Sequence, residues 1–552
     1  MMSTKGKKFD IWSTITFIIF MLYIILLAFP LFTILVKSIG DGTTGSFSLA
    51  YFKQFFSKKY YYGSLFNSLK VTIWVTILTI IIATPLAYIM TTFKIKGKSA
   101  LQILILISSM QAPFIGAYSW ILLLGRNGVI TKFMKSAFNI TIPDIYGFAG
   151  ILLVLTLELT PLIYMYLSGA LKSVDSSLLE AAESMGCTGV RKVFKVVIPL
   201  IIPTLLGGAL LVFMRALADF GTPMLIGEGY RTIPVLIFNE FISEVGGDDG
   251  FAAAISVIVI IFATAIFLLQ KYISNKKAFS MSALHPIEAK EEKGIKNILA
   301  HIYVYGFTFI ALLPQLTVIY TSFLNTSGRV FTDGFSLKSY EAAFNKMGDA
   351  ILNTFYLSGI SILLVILLAI LIAYITVRRR NVVTNLLDIL TMFPYIVPGS
   401  ILGIALLLSF NKRPLLLSGT ALIMIISFVI RRLPYTIRSS AAILHQISIS
   451  VEEAAISLGA SNIKTFFKIT LPMMLPGVIS GAILSWVTII SELSTSIILY
   501  TGHTRTMTIA TYTEVIRGNY GVAAALATIL SFITIVSLLI FFKVSGEKEI
   551  TM

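Results

Sequence analysis

The chain has 552 residues, of which 57% are hydrophobic and 12% charged, and it carries a formal net charge of +17. This composition excludes an ordinary soluble domain and indicates an integral membrane protein. The positive charge does not indicate nucleic-acid binding, because the basic residues cluster in alternate loops between apolar stretches, and the single Cys187 excludes an intrachain disulfide.

Apolar stretches long enough to cross a bilayer recur along the whole chain, since one helical crossing takes about 20 mostly apolar residues. Twelve such stretches can be distinguished, six in each half. The sequence therefore predicts an all-α integral membrane protein with about 12 transmembrane helices. Their predicted ranges are 11–36, 67–92, 101–124, 147–171, 199–225 and 251–270 in the first half, and 301–323, 353–376, 386–410, 414–430, 472–500 and 521–542 in the second.

The distribution of basic residues predicts the orientation in the membrane. Most of the 43 lysines and arginines fall in loops on the same side as the N-terminus, including Lys94, Lys96, Lys98 and the run at 378–380. Such loops stay in the cytoplasm, so we expect both termini to be cytoplasmic. The first apolar stretch is too long for a signal-peptide core and lacks a small-residue cleavage site, which predicts a retained membrane anchor.

A polar segment at 271–300 separates two halves that repeat one another. Residues 177–208 match residues 450–481 at a constant offset of 273 without a gap, and LAYI at 86–89 answers IAYI at 372–375. Because each half has an even number of predicted spans, both halves enter the membrane in the same direction, as a parallel repeat. We therefore expect a first half at 1–270, a cytoplasmic linker at 271–300 and a second half at 301–552.

The repeated loop is predicted to form two short cytoplasmic helices in each half. A Ser-x-x-Glu capping box begins the first helix, at Ser177 and Glu180 in one copy and at Ser450 and Glu453 in the other. A glycine that can adopt a left-handed backbone ends that helix, and a proline begins the next span. These residues are Gly186 and Pro199 in the first copy, and Gly459 and Pro472 in the second.

Either copy alone is equally well explained as a capped helix pair on the membrane surface. Two copies at one spacing, both cytoplasmic and both leading into a membrane span, favour a different interpretation. We expect a compact protrusion on which a separate soluble protein can push.

The residues of this loop resemble those of a known family. EAAESMG at 180–186 and EAAISLG at 453–459, followed by VVIP at 196–199 and ITLP at 469–472, are similar to the coupling loop of binding-protein-dependent ABC importer permeases. The second copy fits completely, whereas the first has Ile198 where the pattern has leucine. With ALADFGTPMLIG at 216–227 and ELSTSIILY at 492–500, the chain resembles the ferric-iron branch most closely, and thiamine, 2-aminoethylphosphonate and polyamine permeases are related to it.

The resemblance implies a fused permease of the type I importer kind, in a bacterial inner or plasma membrane. It implies two copies of a cytoplasmic ATPase subunit, an extracytoplasmic solute-binding protein and ferric iron as the best candidate cargo. Coupling loops at 177–199 and 450–472 would dock on the ATPase. The implied coupling residues are Glu180, Ala181, Ala182, Gly186, Pro199, Glu453, Ala454, Ala455, Gly459 and Pro472.

Signatures of enzyme chemistry are missing from the sequence. The nearest segment to an ATP-binding loop, GDGTTGS at 40–46, lacks the lysine, and no cluster of cysteine and histidine predicts a metal site. We therefore expect no catalytic residue, no metal site and no cofactor bound by this chain. ATP would be used by the partner subunit.

Four ionisable residues fall within or beside predicted spans, where charge is costly and calls for a reason. Asp219 and Glu492 occupy equivalent repeat positions near the external end of the fifth span in each half. Arg215 precedes Asp219 by one helical turn, and Glu158 lies in the fourth span. One hypothesis is that the carboxylates line a route for a cationic cargo. The alternative is that Arg215 and Asp219 neutralise each other while Glu492 caps a helix.

Two other functions are compatible with parts of the pattern. An ion-driven secondary carrier also has two parallel six-helix halves, but its basic signature is missing after the second span, where the chain has FKIKGKS. A membrane scaffold would not need repeated charges in the membrane. Charged external loops before the sixth and twelfth spans are either a docking surface for a binding protein or solvated loops: Glu228, Glu240, Glu244, Asp248, Asp249, Arg505, Glu514 and Arg517.

Overall fold

The fold is known from a computed structural model, which describes residues 11–40, 46–110, 114–242, 248–276, 287, 289–291, 293–328 and 330–545. Several features considered above lie outside the described residues, wholly or in part. They are the basic N-terminal residues, most of the GDGTTGS segment, Glu244, much of the 271–300 linker and the last residues of the chain.

The first half contains fourteen helices among the described residues. Its first span is α1 and α2, joined by a π-helical turn at Ile24–Ala28, and a second π-helical turn at Val193–Val197 joins α10 to α11. The bounds are α1 Ile11–Tyr23, α2 Phe29–Ser38, α3 Ala50–Ser57, α4 Lys59–Thr92, α5 Lys98–Ser109, α6 Ile115–Leu124, α7 Val129–Phe138, α8 Phe148–Lys172, α9 Ser176–Ser184, α10 Gly189–Lys192, α11 Ile198–Ala218, α12 Gly221–Ile226, α13 Ile233–Ile242 and α14 Asp249–Lys276.

The second half repeats this order and adds a small antiparallel hairpin of β1 and β2, so the fold is α-helical with one local exception among the described residues. A π-helical turn at Phe466–Thr470 joins α21 to α22. The bounds are α15 Ile295–Ser322, β1 Leu324–Ser327, β2 Val330–Phe335, α16 Lys338–Arg378, α17 Val382–Ile396, α18 Gly399–Ser409, α19 Ala421–Gln446, α20 Ile449–Ser457, α21 Asn462–Thr465, α22 Leu471–Ile490, α23 Ser496–Leu499, α24 Met507–Arg517 and α25 Tyr520–Ser545.

Within the described residues, nine helices are long and apolar enough to span a membrane, and a bent pair at α17 and α18 raises this to ten. The predicted count of twelve differs at two places. The span predicted at 101–124 is divided between two short helices, α5 and α6. The span predicted at 414–430 begins only at Ala421 and continues to Gln446 as α19, which carries three arginines.

The repeat is also found in the packing of three central helices in each half. In the first half α4, α8 and α11 pack against one another, and in the second half the equivalent helices α16, α19 and α22 do the same. In the second half, glycines on α22 allow this helix to pack closely against α19. A Cβ at Gly477 would lie 2.4 Å from Ile443 Cγ1, and one at Gly481 would lie 2.7 Å from Thr436 Cα.

The first helix of each half crosses to the other half. Helix α1 packs against α16 and α17, and α2 packs against α18 and against α14 of its own half. In the same way α15 packs against α4, α5 and α6 of the first half and against α25 of its own. Each half is therefore completed by a helix from its neighbour.

The π-helical turns have a common cause in the prolines that follow them. Each turn ends two residues before a proline, which is Pro30, Pro199 or Pro472. A proline ring collides with the carbonyl four residues earlier and cannot donate a hydrogen bond, and a wider turn relieves both problems. As predicted, Pro199 and Pro472 lie at the start of α11 and α22, and the π-helical turns join these helices without a break to the loops that precede them.

Candidate functional site

Two helical protrusions carry the most strongly repeated residues, and we call them the first elbow (residues 175–199) and the second elbow (residues 448–472). In the first, the side chain of Asp175 accepts a hydrogen bond from the backbone N–H of Ser177 and caps α9. In the second, Ser448 caps α20 in the same way. The predicted capping boxes are absent because each helix begins earlier, at a residue whose side chain reaches the free N–H groups first.

The glycines that end α9 and α20 adopt the predicted left-handed backbone, with φ of 80° at Gly186 and 88° at Gly459. No atom lies within 4 Å of a Cβ added at either position. The requirement for glycine therefore comes from the backbone conformation and not from crowding. The turn directs the chain back into a helix that continues into the membrane.

Large apolar side chains are exposed at equivalent positions on both elbows. Met185 is 80% exposed and Leu458 is 88% exposed, directly before the two glycines. The same holds for two further pairs, Leu178 with Val451 and Phe194 with Phe467. Repeated exposed apolar groups on a polar surface are typical of a site that binds another protein. The glutamates Glu180 and Glu453 are exposed beside them, as are Ala181 and Ala454, whereas Ala182 and Ala455 are buried.

The two helices of the first elbow are joined by an ion pair between Lys192 and Glu183. The hydrogen bond from Lys192 lowers the pKa of the Glu183 carboxyl below its usual range. The equivalent residues of the second elbow are Thr465 and Ile456, which cannot form such a pair. The second elbow is attached differently, through Glu452, which is only 7% exposed.

Glu492 lies in a network of charge in the second half. Nη1 of Arg431 is 2.8 Å from Oε1 of Glu492, and Arg432 pairs with the other carboxylate oxygen. The carboxylate also accepts a hydrogen bond from the backbone N–H of Thr495 at 3.1 Å, which caps α23. Glu492 is 3% exposed and fully engaged. The Glu492 carboxylate is therefore surrounded by two arginines and a backbone N–H.

The equivalent carboxylate of the first half keeps the cap but not the ion pairs. Asp219 accepts a hydrogen bond from the backbone N–H of Thr222 at 2.9 Å, and Thr222 is the repeat equivalent of Thr495. Arg215 does not pair with Asp219, because its guanidinium donates to the Tyr435 hydroxyl of the second half at 3.4 Å. Among the described residues, neither Asp219 nor Glu158 has an ion-pair partner.

Glu158 lies on α8, and Arg215 and Asp219 lie at the end of the neighbouring helix α11, where the contact of Arg215 with Tyr435 joins the two halves. Tyr435 joins them from the second half, with Tyr395 packed against its ring at a centroid distance of 5.1 Å. Arg215 is exposed on the surface of the helix bundle, whereas Asp219 and Glu158 are half-buried. We call this group, Glu158, Arg215, Asp219, Tyr395 and Tyr435, the cleft cluster.

Sequence reasoning missed Arg431 and Arg432, because the predicted fourth span ended at 430 and left them in a loop. The repeat held a signal that could have found them. At the offset of 273, Arg431 is equivalent to Glu158, which lies well inside a predicted span. Tyr395, Tyr435 and Glu452 were also missed, since nothing in their local sequence distinguishes them.

Ion pairs join the loops at the membrane face opposite the elbows. Nε of Arg126 is 2.9 Å from Oδ2 of Asp144, and the same guanidinium contacts Glu228. The hydrogen bonds that the guanidinium donates to both carboxylates raise the pKa of Arg126 above its usual value. Lys37 pairs with Asp249 at 3.3 Å. These loops are therefore held in a defined arrangement.

No group of three or more histidine, cysteine, aspartate or glutamate residues in the described part of the chain is arranged to hold a metal ion. The elbows and the cleft cluster contain no nucleophile paired with a base. What the two sites offer is a pair of apolar surfaces on one membrane face, and a group of carboxylate, phenol and guanidinium groups between the halves.

Comparison with known proteins places this arrangement among transport components. The family model described as binding-protein-dependent transport system inner membrane component matches residues 83–278 and again 365–545. A ferric transport system permease protein of Actinobacillus pleuropneumoniae is 29% identical over 99% of this chain and 80% of its own length. A putative ferric transport system permease protein of Haemophilus influenzae is 31% identical, over 91% of this chain and 79% of its own length.

A third relative covers one half only. A putative 2-aminoethylphosphonate transport system permease protein of Salmonella typhimurium is 24% identical over 44% of this chain and 86% of its own length. The chain therefore has the length of two such units, and both of its halves match the same family model.

Proposed function

The chain belongs to the family of binding-protein-dependent transport system inner membrane components, and on this basis we propose that it imports ferric iron as the fused permease of an ATP-driven importer. The protein is the transport subunit and not the ATPase. We further propose that an extracytoplasmic binding protein delivers the cargo and that the N- and C-termini are cytoplasmic. The first half would span residues 1–270, the cytoplasmic linker 271–300 and the second half 301–552.

The similarity of the two elbows supports the proposal that two copies of an ATPase subunit dock on this chain. Each elbow presents the same three exposed apolar positions beside an exposed glutamate, Glu180 or Glu453. One chain with two such surfaces accommodates two identical partners. A secondary carrier driven by an ion gradient would have no use for these surfaces.

Replacing the apolar residue at the tip of each elbow tests the docking. We expect M185E and L458E together to abolish copurification of the ATPase and ATP-dependent uptake, because a carboxylate would be buried in an apolar contact. V382E is the matched control, since Val382 is 76% exposed at the first position of α17, outside the elbows. Uptake at the wild-type rate by M185E/L458E, with no ATPase bound, would contradict the proposal.

The substrate route is proposed to pass the cleft cluster. Glu158 and Asp219 are acidic, half-buried and without ion-pair partners among the described residues, whereas Glu492 is neutralised by arginines. Carboxylate and phenol oxygens are hard ligands that suit a highly charged cation. We therefore propose that Glu158 and Asp219 act on the cargo from the first half, with Arg215 beside them, and that Glu492 has a structural role.

Iron is favoured over other cargoes by the relatives, because those named for ferric transport match nearly the whole chain. A second candidate, 2-aminoethylphosphonate, is favoured by the relative that matches one half. Thiamine and polyamines remain further candidates. Uptake of radioactive ferric iron into proteoliposomes that contain ATPase and binding protein, with each other solute as competitor, separates these. Inhibition of this uptake by one of the organic solutes, and not by unlabelled ferric iron, would overturn the choice of iron as the cargo.

A further inference from the structure

The two elbows are attached to their halves by different chemistry. In the second elbow, Glu452 of α20 pairs with Arg378, with Nε of the arginine 2.8 Å from Oε1. The same guanidinium donates to the backbone carbonyl of Ile447 at 2.7 Å, directly before the elbow. The Tyr374 hydroxyl donates to the other carboxylate oxygen at 3.3 Å. Both members of the ion pair are about 10% exposed.

An aromatic contact lies beside this ion pair and brings a third element to it. The ring of Tyr374 packs on Phe466 of the second elbow at 4.7 Å and on Trp12 at 4.6 Å, and Trp12 also contacts Phe466 at 4.9 Å. Trp12 belongs to α1, the helix that crosses from the first half. The second elbow is therefore fixed to the end of α16 and to α1 at one point.

Neither of these two contacts is present in the first elbow among the residues that the structure describes. The repeat places Leu179 where Glu452 stands and Val193 where Phe466 stands, and the match of LAYI to IAYI places Thr92 where Arg378 stands. Leu179 is buried in an apolar cluster that includes Leu171 and Val197. Apolar contacts are not directional, so this attachment limits separation without fixing an angle, whereas a buried charged hydrogen-bond network fixes both.

We propose that Arg378 is a positioning residue that makes the second elbow the stiffer of the two connections between the ATPase and the membrane helices. This inference rests on the proposed docking of the ATPase on the elbows. Movement of the partner at the second elbow passes directly to α16, through a planar guanidinium held at the carboxylate and at a backbone carbonyl. Movement at the first elbow passes through an apolar contact that can slide.

The first elbow supplies the residues for the test. The variant R378T/E452L gives the second elbow the residue types that the first elbow already has, so both members of the Arg378–Glu452 ion pair are removed together. We expect the ATPase to bind and to hydrolyse ATP as before, while the amount of iron imported per ATP falls on the order of tenfold. The quantity to measure is this ratio in proteoliposomes, because a role in stability alone would lower transport and hydrolysis together.

Two further variants keep the test decisive. R378K retains the charge but cannot hold the carboxylate and the carbonyl of Ile447 in one plane, so we expect a ratio between those of the wild type and R378T/E452L. The control is K94Q/E291Q, because Lys94 and Glu291 form an exposed ion pair at 3.8 Å outside both elbows, and it is expected to leave the ratio unchanged.

A wild-type ratio in both R378T/E452L and R378K, with the ATPase bound, would overturn the inference. If R378T/E452L does not fold, the result for R378K decides. Failure of the wild-type protein to bind an ATPase would instead contradict the proposed function, so the two failures are distinguishable.

Discussion

The fourth and fifth helices of the two halves carry different charges at equivalent positions of the repeat. Glu158 of the first half stands where the second half has Arg431, and Asp219 stands where it has Glu492. Both acids, Asp219 and Glu492, cap the short helix that follows them. Only the second is neutralised, by two arginines that have no basic counterparts at 158 and 159.

A feature that both halves share is required by the fold, whereas a feature that only one half has is not. The helix cap is common to both halves, so it belongs to the architecture. The arginine pair satisfies the buried carboxylate in the second half, while in the first half two half-buried carboxylates have no ion-pair partner among the described residues. A charged group kept in a membrane protein without a partner calls for a functional reason.

The difference in charge between the two halves is tested most directly at Glu492. We expect E492Q to destabilise the protein by about 3–5 kcal/mol, because Arg431 and Arg432 would be left without their carboxylate in a mostly buried site. Unfolding by a denaturing detergent, followed by intrinsic fluorescence, measures this. D219N is the matched control and should cost less than about 1 kcal/mol, since asparagine also caps helices well. Equal losses for the two variants would show that the halves are not different.

A smaller loss is expected from crowding Arg431. A Cβ at Gly399 would lie 1.7 Å from Nη1 of Arg431, which is locked in its ion pair with Glu492. G399A should therefore cost about 1–3 kcal/mol in the same measurement. G359A is the control, because no atom lies within 4 Å of a Cβ at that helical position. An unchanged stability of G399A would mean that the arginine can move aside.

For the first half we expect an effect on transport and not on stability. E158Q and D219N should each lower ferric-iron uptake about tenfold, or ~1.4 kcal/mol, at a normal amount of folded protein. Uptake into proteoliposomes at limiting iron measures this. E341Q, at an exposed glutamate in the first turn of α16, is the control. If both variants transport at the wild-type rate, the unpaired carboxylates have no role in the route.

The smallest effect is expected at the exposed pair of the first elbow. Because the pKa of Glu183 is lowered in the folded protein, its ion pair with Lys192 adds stability above the ordinary glutamate pKa of about 4.3. That contribution is lost as the pH falls through the lowered value. K192T should remove this dependence, which hydrogen exchange of the elbow amides between pH 3 and pH 6 can detect. An unchanged profile would show that the pair is too exposed to matter.

The elbows and the repeat could be predicted from sequence because their signals are local. The spacing from Glu180 to Gly186 and to Pro199 recurs in one continuous segment, and the left-handed glycines at 186 and 459 follow directly from it. The exact helix starts could not be predicted, since Asp175 and Ser177 are both good caps and only the folded chain selects one.

The charge network needed information that no single segment carries. Arg431 and Arg432 are tolerated inside a helix only because Glu492, 61 and 60 residues away, meets them there. A window of sequence that contains two adjacent arginines therefore indicates a loop. The contact between Arg215 and Tyr435 joins residues 220 apart, and the crossing of α1 and α15 depends on surfaces of the other half that an apolar segment does not specify.

The crossed first helices have a consequence for synthesis and assembly. When a ribosome has made only the first half, the surfaces of α4, α5 and α6 that α15 will cover face lipid, and α1 has no second half to pack against. Because the first half is synthesised first, the groove on α4, α5 and α6 stays open until α15 has been made. We expect a chain cut between 276 and 295 to stay together after folding, whereas residues 1–276 made alone would be degraded as an incomplete protein.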